Sequence, residues 1–267
     1  MKYFVINLKS SLQRRKIMGE QLNKLNIPFE IFEAVRGSDL AEEEIAGYYD
    51  GDYYNTRPDY FTPGLAGCTI SHYLLYKKIV REKIDIAIIL EDDMILHENF
   101  AATANKLSTI ITNNEAILFF YQSYINIPLA ASTVLPITNN FNLYQLVSTV
   151  GIRSTGGYMI TYETAKSLAE KLPPFSSYPD DWKSFYDRKI LNGIRVVYPF
   201  VMSNSYEPTT ISPYLKGGFL FRKTLYLLER HKIFPIYNFL KWRRKQYTTK
   251  TRQCIITNEI PTDLRKI

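Results

Sequence analysis

The stretch DIAIILEDDMIL, residues 85–96, decides how this chain is read. Residues 86–90 are uniformly apolar and mostly β-branched, the pattern of a strand covered on both faces rather than one with a wet side. The run then ends abruptly in Glu91, Asp92 and Asp93. Burying one unpaired carboxylate costs several kcal/mol, so three together require an open cleft and a cation or a donor-rich partner. In an open α/β sheet, ligands sit outside the carboxyl ends of the strands, which is where these acids fall. Carboxylates with no neighbouring His or Cys in sequence suit hard Mg²⁺ or Mn²⁺, commonly shared with the phosphates of a substrate. The plain alternative is that the acids merely open the next helix or loop.

The flanking sequence supplies the rest of the sheet. YFVINL (3–8) reads as a buried strand, and Ser11 to Leu25 as a helix carrying Leu12, Met18, Leu22 and Leu25 on one side, capped by Ser10 or Ser11. FEIFEAV (29–35) is a second strand, closed by a turn at Gly37. This β-α-β opening predicts an α/β fold with a mostly parallel, Rossmann-like sheet flanked by helices. A polar, tyrosine-rich loop from Tyr48 to Phe61 follows. Pro63, Gly64 and Gly67 are then expected to form a turn before an amphipathic helix through Ile70, Tyr73 and Val80. AILFFY (116–121), LYQLVSTV (143–150), STGGYMIT (154–161) and RVVYPFV (195–201) read as further strands. YETAKSLAEKL (162–172) and PDDWKSFYDRKIL (179–191) read as helices.

The net charge of +7 is unevenly spread. Residues 1–215 carry −3, whereas 216–252 carry eleven basic residues against the single acid Glu229. We therefore expect one catalytic-type domain over 1–215 and a basic, aromatic helical extension over 216–267, split by Pro235. Interleaved Phe, Leu, Tyr and Trp with Lys and Arg suit an anionic membrane surface, with packing on the domain as the plainer reading; no nucleic-acid motif accompanies them. The apolar run at Tyr3–Leu8 is too short for a secretory or membrane-spanning segment, which predicts a cytoplasmic chain. Two cysteines, Cys68 and Cys254, and three scattered histidines offer neither a disulfide framework nor an evident zinc motif.

VINL with Arg14 and Arg15, AVRG, PGLAGCTISH, IILEDD, GGYMIT and PDDW occur in the order and approximate spacing seen in glycosyltransferase family 25, which the chain resembles over residues 3 to about 205. The resemblance implies a GT-A-type fold and an inverting transfer of a hexose, galactose from UDP-galactose in the leading case. The acceptor it implies is the oligosaccharide of a lipooligosaccharide or lipopolysaccharide, used at the inner face of a bacterial cytoplasmic membrane. Glu91-x-Asp93 stands where the family has its DxD element. Asp93 and Glu91 would hold Mn²⁺ or Mg²⁺, and Glu91 or Asp92 would meet the ribose or a bridging water. In YPDDW, Asp181 aligns with the family's functional carboxylate and Asp180 with its variable neighbour, so Asp181 is the expected base and helix capping the alternative. Asn7 and Leu8 would approach uracil, with an ordinary strand end as the alternative; Arg14 and Arg15 the diphosphate, solvated helix arginines being the commoner case; Ser71 and His72 the acids or donor, a buried structural histidine explaining His72 equally well; and Gly156 and Gly157 the donor sugar. Tyr158, Tyr178 and Trp182 offer stacking faces for a sugar, with core packing the more frequent role for any one of them. Two departures stand out: Leu65 and Ala66 occupy a stretch where the family carries an acid, and VMSNSYEPTT (201–210) lacks a late histidine, leaving Asn204 or Ser205 as the candidate third ligand through water. The rival readings are a metal-dependent phosphohydrolase, disfavoured by the acid-free end of the first strand, and a degenerate transferase fold that only binds.

Overall fold

The computed structural model describes residues 1–57, 61–123, 125–138, 140–205, 228, 233–250 and 254–261. The opening β-α-β unit forms as expected. β1 (Lys2–Asn7), helix α1 (Leu12–Lys24) and β2 (Phe29–Glu33) lead through the short helices α2 (Glu42–Tyr48) and α3 (Gly51–Asn55) to the long helix α4 (Pro63–Arg81), and then to β3 (Ile86–Glu91), the strand of the acidic run. β4 (Met94–Leu96), α5 (Phe100–Ser108), β5 (Glu115–Leu118), β6 (Ile127–Ala130), β7 (Leu135–Thr138) and β8 (Phe141–Gln145) follow. The compact region closes with β9 (Gly157–Thr161), α6 (Tyr162–Lys171), α7 (Trp182–Asp187), β10 (Gly193–Tyr198) and β11 (Met202–Asn204).

Eight strands make one sheet in the order β2-β1-β3-β9-β5-β10-β8-β7. The expected α/β class holds, and six strands share one direction. β9 and β8 oppose them, so the β3–β9, β5–β9, β8–β10 and β7–β8 pairs are antiparallel while β1–β2, β1–β3 and β5–β10 are parallel. Sequence alone could not set the direction of STGGYMIT, because a buried central strand is apolar whichever way it runs.

Strand alternation divides the interior in two. Phe4, Ile6, Ala87, Ile89, Leu118, Tyr158 and Ile160 face one core with α4, α6 and α7. Tyr3, Val5, Ile88, Leu90, Ile117 and Met159 face the other with α1 and α5. β3 contributes to both, which is why residues 86–90 show no polar phase.

Two local expectations are corrected. Pro63, Gly64 and Gly67 do not form a turn; they are the first turns of α4. Proline at the first helical position forfeits no hydrogen bond there, and the Thr62 side chain caps the helix by accepting from Leu65 N–H at 3.2 Å. Gly67 is required for another reason: a Cβ would stand 2.5 Å from the backbone nitrogen of Gly37, so helix and loop meet backbone to backbone. The strand expected over 143–150 stops at Gln145.

The proposed 215/216 boundary and the first helix of the basic extension lie outside the described residues. Its second helix is present as Ile236–Lys250. Beyond it, β12 (Cys254–Thr257) returns to pair in parallel with β6, and the Cys254 thiol lies 2.7 Å from the Tyr121 hydroxyl. Residues 254–257 of the extension are thus stitched to the domain. No helix among the described residues is long and apolar enough to cross a membrane.

Candidate functional site

The acids occupy the turn between β3 and β4, and the neighbouring backbone holds that turn from several sides. Glu91 N–H donates to the Gly156 carbonyl at 3.0 Å, and Ser205 N–H to the Asp93 carbonyl at 2.8 Å. Gln21 of α1 brackets β4, donating to the Met94 carbonyl and accepting from Leu96 N–H at 3.0 and 2.8 Å. Pairing of β11 with β4 places Asn204 opposite Met94.

Each acid then meets a different environment. Asp92 is clamped: Asn7 Nδ2 donates to it at 2.6 Å, and the Arg14 guanidinium at 3.1 Å. Burial nevertheless pushes the Asp92 carboxyl above its usual range, Arg14 and Asn7 offsetting only part of that. Glu91 accepts from the Thr155 hydroxyl and lies 3.6 Å from His72 Nε2. Burial pushes it upward, but the imidazole, when it carries a proton on Nε2, and Thr155 outweigh that and hold it below the ordinary carboxylate range. Asp93 is the residue left over. Arg14 is 3.8 Å away, and Asp93 Oδ1 is buried with no hydrogen-bond partner among the described residues. Burial and the adjacent Glu91 charge drive Asp93 up to about 7.

That arrangement fits a hard divalent cation. A carboxylate oxygen shielded from solvent and unpartnered, beside a second carboxylate, is a pair of hard donors in a site whose electrostatics call for positive charge.

The other expected residues fall into place unevenly. The Asn7 amide is engaged by Asp92 and by the Ser11 carbonyl at 3.2 Å, and the Leu8 carbonyl accepts from Ser11 N–H at 2.7 Å. Arg14 faces the acids, whereas Arg15, one residue on, is exposed. Ser71 is a fastener: its hydroxyl accepts from Val35 N–H at 2.8 Å and donates to the Gly67 carbonyl at 2.6 Å, pinning α4 to the chain after β2. His72 is 2% exposed; its Nδ1 lies 2.7 Å from the Tyr158 hydroxyl, which in turn lies 2.8 Å from that of Tyr76.

Gly156 and Gly157 have close neighbours on the side a Cβ would occupy. Cβ atoms there would lie 2.7 Å from the Met94 sulfur and 2.3 Å from that of Met202, so the glycines make room for the small β4–β11 sheet. Tyr158 and Trp182 are fully buried and pack edge to face at 5.2 Å, and Tyr178 meets Tyr53 at 6.2 Å. These rings build the core of the site rather than an open stacking face.

Asp180 and Asp181 lie on the turn into α7, near enough for the Glu91 charge to act on Asp180. Asp181 accepts from Arg153 at 2.7 Å and from Ser184 N–H at 3.4 Å, the helix-capping geometry. Asp180 accepts from Ser154 N–H at 3.0 Å; burial raises its pKa above the usual range, and the Glu91 charge adds to the rise. Trp182 Nε1 donates to the Ser154 carbonyl at 2.9 Å, locking the two turns together. The segment 153–155 is therefore a bridge between both acid groups, with Thr155 on Glu91, Ser154 on Asp180 and Arg153 on Asp181. Sequence reasoning missed these three residues because each pairing spans tens of residues. It also missed Cys68, which with His72 and Glu91 brings three ligand atoms within 4.8 Å of one another. The four-residue spacing of Cys68 and His72 on one helical face was the available signal.

The profile of "Glycosyltransferase family 25 (LPS biosynthesis protein)" matches residues 1–182. Similar proteins include the lipooligosaccharide biosynthesis protein lic2B of Haemophilus influenzae, 27% identical over 65% of this chain and 64% of that one. The "Putative glycosyltransferase R655" of Acanthamoeba polyphaga mimivirus is 28% identical over 64% of this chain and 52% of its own length. Human procollagen galactosyltransferase 2 is 28% identical over 67% of this chain and 29% of its own. The chain thus spans under two thirds of lic2B and about half of the viral protein.

Proposed function

Because the chain belongs to glycosyltransferase family 25, we propose that it is a metal-dependent inverting glycosyltransferase. In this reading it moves a hexose, galactose from UDP-galactose in the leading case, to the oligosaccharide of a lipooligosaccharide or lipopolysaccharide. The names of lic2B and of procollagen galactosyltransferase 2 support the acceptor class and the sugar respectively. The observation that carries the reading is the division of labour at 91–93: Asp92 and Glu91 have internal partners, and Asp93 keeps a buried, unpartnered oxygen.

Asp93 and Glu91 would hold Mn²⁺ or Mg²⁺, which when bound supplies Lewis-acid stabilisation of the departing diphosphate. Arg14, fixed on Asp92, keeps a positive charge beside that diphosphate's position while preventing Asp92 from swinging away. Asn7, tied to both Asp92 and the start of α1, fixes the strand end on which the donor would lie. The proton of the attacking acceptor hydroxyl passes to a carboxylate of the Asp180–Asp181 pair. Family resemblance singles out Asp181. Asp180 is the member whose raised proton affinity suits a base working near neutral pH.

A glycolipid acceptor gives the basic stretch 216–252 a role at an anionic membrane surface. Phe239 and Trp242, each 56% exposed and 6.0 Å apart, would dip into the interface while Lys241 and Arg243 meet lipid phosphates. Two experiments test the proposal. UDP release from UDP-galactose with a lipooligosaccharide acceptor should require Mn²⁺ or Mg²⁺; a metal-independent rate, or none with any nucleotide sugar, defeats it. Sedimentation with phosphatidylserine vesicles should fall in Phe239→Ser/Trp242→Ser protein and stay low with neutral vesicles; equal sedimentation with both defeats the membrane role.

A further inference from the structure

The Cys68–His72–Glu91 cluster is chemically unlike the hard donors of Asp93. Cys68 and His72 are four residues apart on α4, so they stand one above the other on the same face. α4 is fixed in position by the Ser71 fastener and by the close Gly37–Gly67 contact, and it directs that face at the end of β3. His72 Nε2 is buried with no hydrogen-bond partner among the described residues, and its nearest acid, Glu91 Oε1 at 3.6 Å, is beyond hydrogen-bonding distance. If Nδ1–H donates to Tyr158, and the Tyr158 hydroxyl donates on to Tyr76, Nε2 carries its lone pair toward Cys68 and Glu91. An outer hydrogen bond on the far nitrogen is how metal-ligating histidines are oriented.

We propose that Cys68, His72 and Glu91 form a second cation site, for a thiophilic divalent ion such as Zn²⁺, beside the hard-ion position of Asp93. One sulfur, one imidazole nitrogen and one carboxylate oxygen are a zinc-type ligand set that leaves a fourth position for water. Thiolate and imidazole discriminate against Mg²⁺ and Mn²⁺. Around tetrahedral zinc, ligand atoms lie roughly 3.3–3.8 Å apart given bonds of about 2.0–2.3 Å. The observed 4.8 Å envelope thus needs about 1 Å of closure. The Glu91 carboxylate, 30% exposed, has room to make it. Binding replaces the Cys68 thiol proton with a sulfur–zinc bond and releases that proton to solvent. Occupation also draws Glu91 away from Asp93, so zinc should oppose donor binding supported by Mn²⁺. Only this last consequence rests on the transferase reading.

The test is a Co²⁺ titration of nucleotide-free protein followed by absorption. The expected result is a one-to-one end point, a thiolate-to-cobalt charge-transfer band and the intense visible bands of tetrahedral cobalt, all removed by equimolar Zn²⁺. Cys68→Ser, and Cys68→Ala as a second variant, should abolish the charge-transfer band with the circular dichroism spectrum unchanged. His72→Gln should weaken cobalt binding at least about tenfold. Cys254→Ser and Asp93→Asn should keep the band. Absence of the band from the wild type, or its survival in folded Cys68 variants, overturns the proposal. Neither outcome bears on the Mn²⁺ dependence of UDP release, so the two readings fail separately.

Discussion

Two acidic turns are joined by the segment 153–155, and their carboxylates are handled in opposite ways. At 91–93 the acids end a strand buried on both faces, and partners from β1, α1, α4 and residue 155 converge on Glu91 and Asp92, leaving Asp93 with an unanswered oxygen. At 180–181 the acids open a helix, and both take a backbone N–H; Asp181 adds an ion pair with Arg153. A crowded set of charges with one member unsatisfied is the ground on which we propose a cation there. A pair satisfied by backbone N–H groups, from Ser154 and Ser184, is settled within the fold, and any chemistry it performs must coexist with a structural duty.

The sharpest way to separate duty from chemistry is to neutralise each helix-start acid in turn. Loss of a general base costs on the order of 10²–10⁴ in rate. We expect UDP release to fall by that much in either Asp181→Asn or Asp180→Asn, but not in both. The other variant should keep its rate; if that variant is Asp181→Asn, it should lose about 1 kcal/mol of stability through the weakened cap, read by denaturant titration. Equal, small effects on rate would place the base elsewhere and reduce this turn to a helix start.

Asp93→Asn probes the unsatisfied member. The expected loss of turnover is on the order of 10²–10³, together with disappearance of the thermal stabilisation that Mn²⁺ and UDP give the wild type. Without a cation the same substitution should stabilise the protein slightly, since it removes a crowded charge. A destabilised variant that still binds Mn²⁺ would make Asp93 an ordinary turn residue.

The two turns also differed in how far they could be read beforehand. Glu91–Asp93 declared itself because residues 86–90 are apolar without phase, which only a doubly covered strand explains, and three acids after such a strand violate every packing expectation. The Asp180–Asp181 pair carried no such conflict, since acids before a helix are what local chemistry favours. Arg14 was legible only as a basic residue near the first strand's end; that it faces the acids while Arg15 faces solvent depends on the rotation of α1. The bridge 153–155 was invisible, because its hydrogen bonds are 64, 26 and 28 residues long in sequence and leave no periodicity. The direction of β9 and the true start of α4 were hidden for the same reason: both are set by tertiary neighbours, Leu90 and Leu118 flanking β9 and Gly37 beneath α4.

Gly157→Ala asks whether the strand-end turn owes its shape to the methionines behind it. The new Cβ would meet the Met202 sulfur, and overpacking of a filled core costs typically about 1–3 kcal/mol. The midpoint in urea should shift accordingly, with Mn²⁺ binding weakened because β11 and β4 carry the turn. Gly47→Ala, where nothing lies within 4 Å, should leave both unchanged.

The smallest expected effect is a matter of pH, and its sign follows from Asp93. Its carboxyl is raised from 3.8 to about 7 in the folded protein, because burial and Glu91 disfavour the charge. Below the unfolded value the group is protonated in both states and costs the fold nothing. Between about 4 and 7 the unfolded chain gives up this proton first, so the cation-free protein loses stability as pH rises, and the loss levels off above about 7. A divalent ion must displace that proton, so its apparent affinity should fall by roughly a factor of ten per pH unit below about 7. The Mn²⁺-induced rise in melting temperature should therefore shrink on acidification. In Asp93→Asn both the slope of the cation-free baseline and the ion's effect should flatten, whereas Asp181→Asn should retain both. A wild-type Mn²⁺ effect that is level across neutrality would mean that Asp93 is already ionised, its charge answered by groups other than a bound ion, and the contrast between the two turns would then disappear.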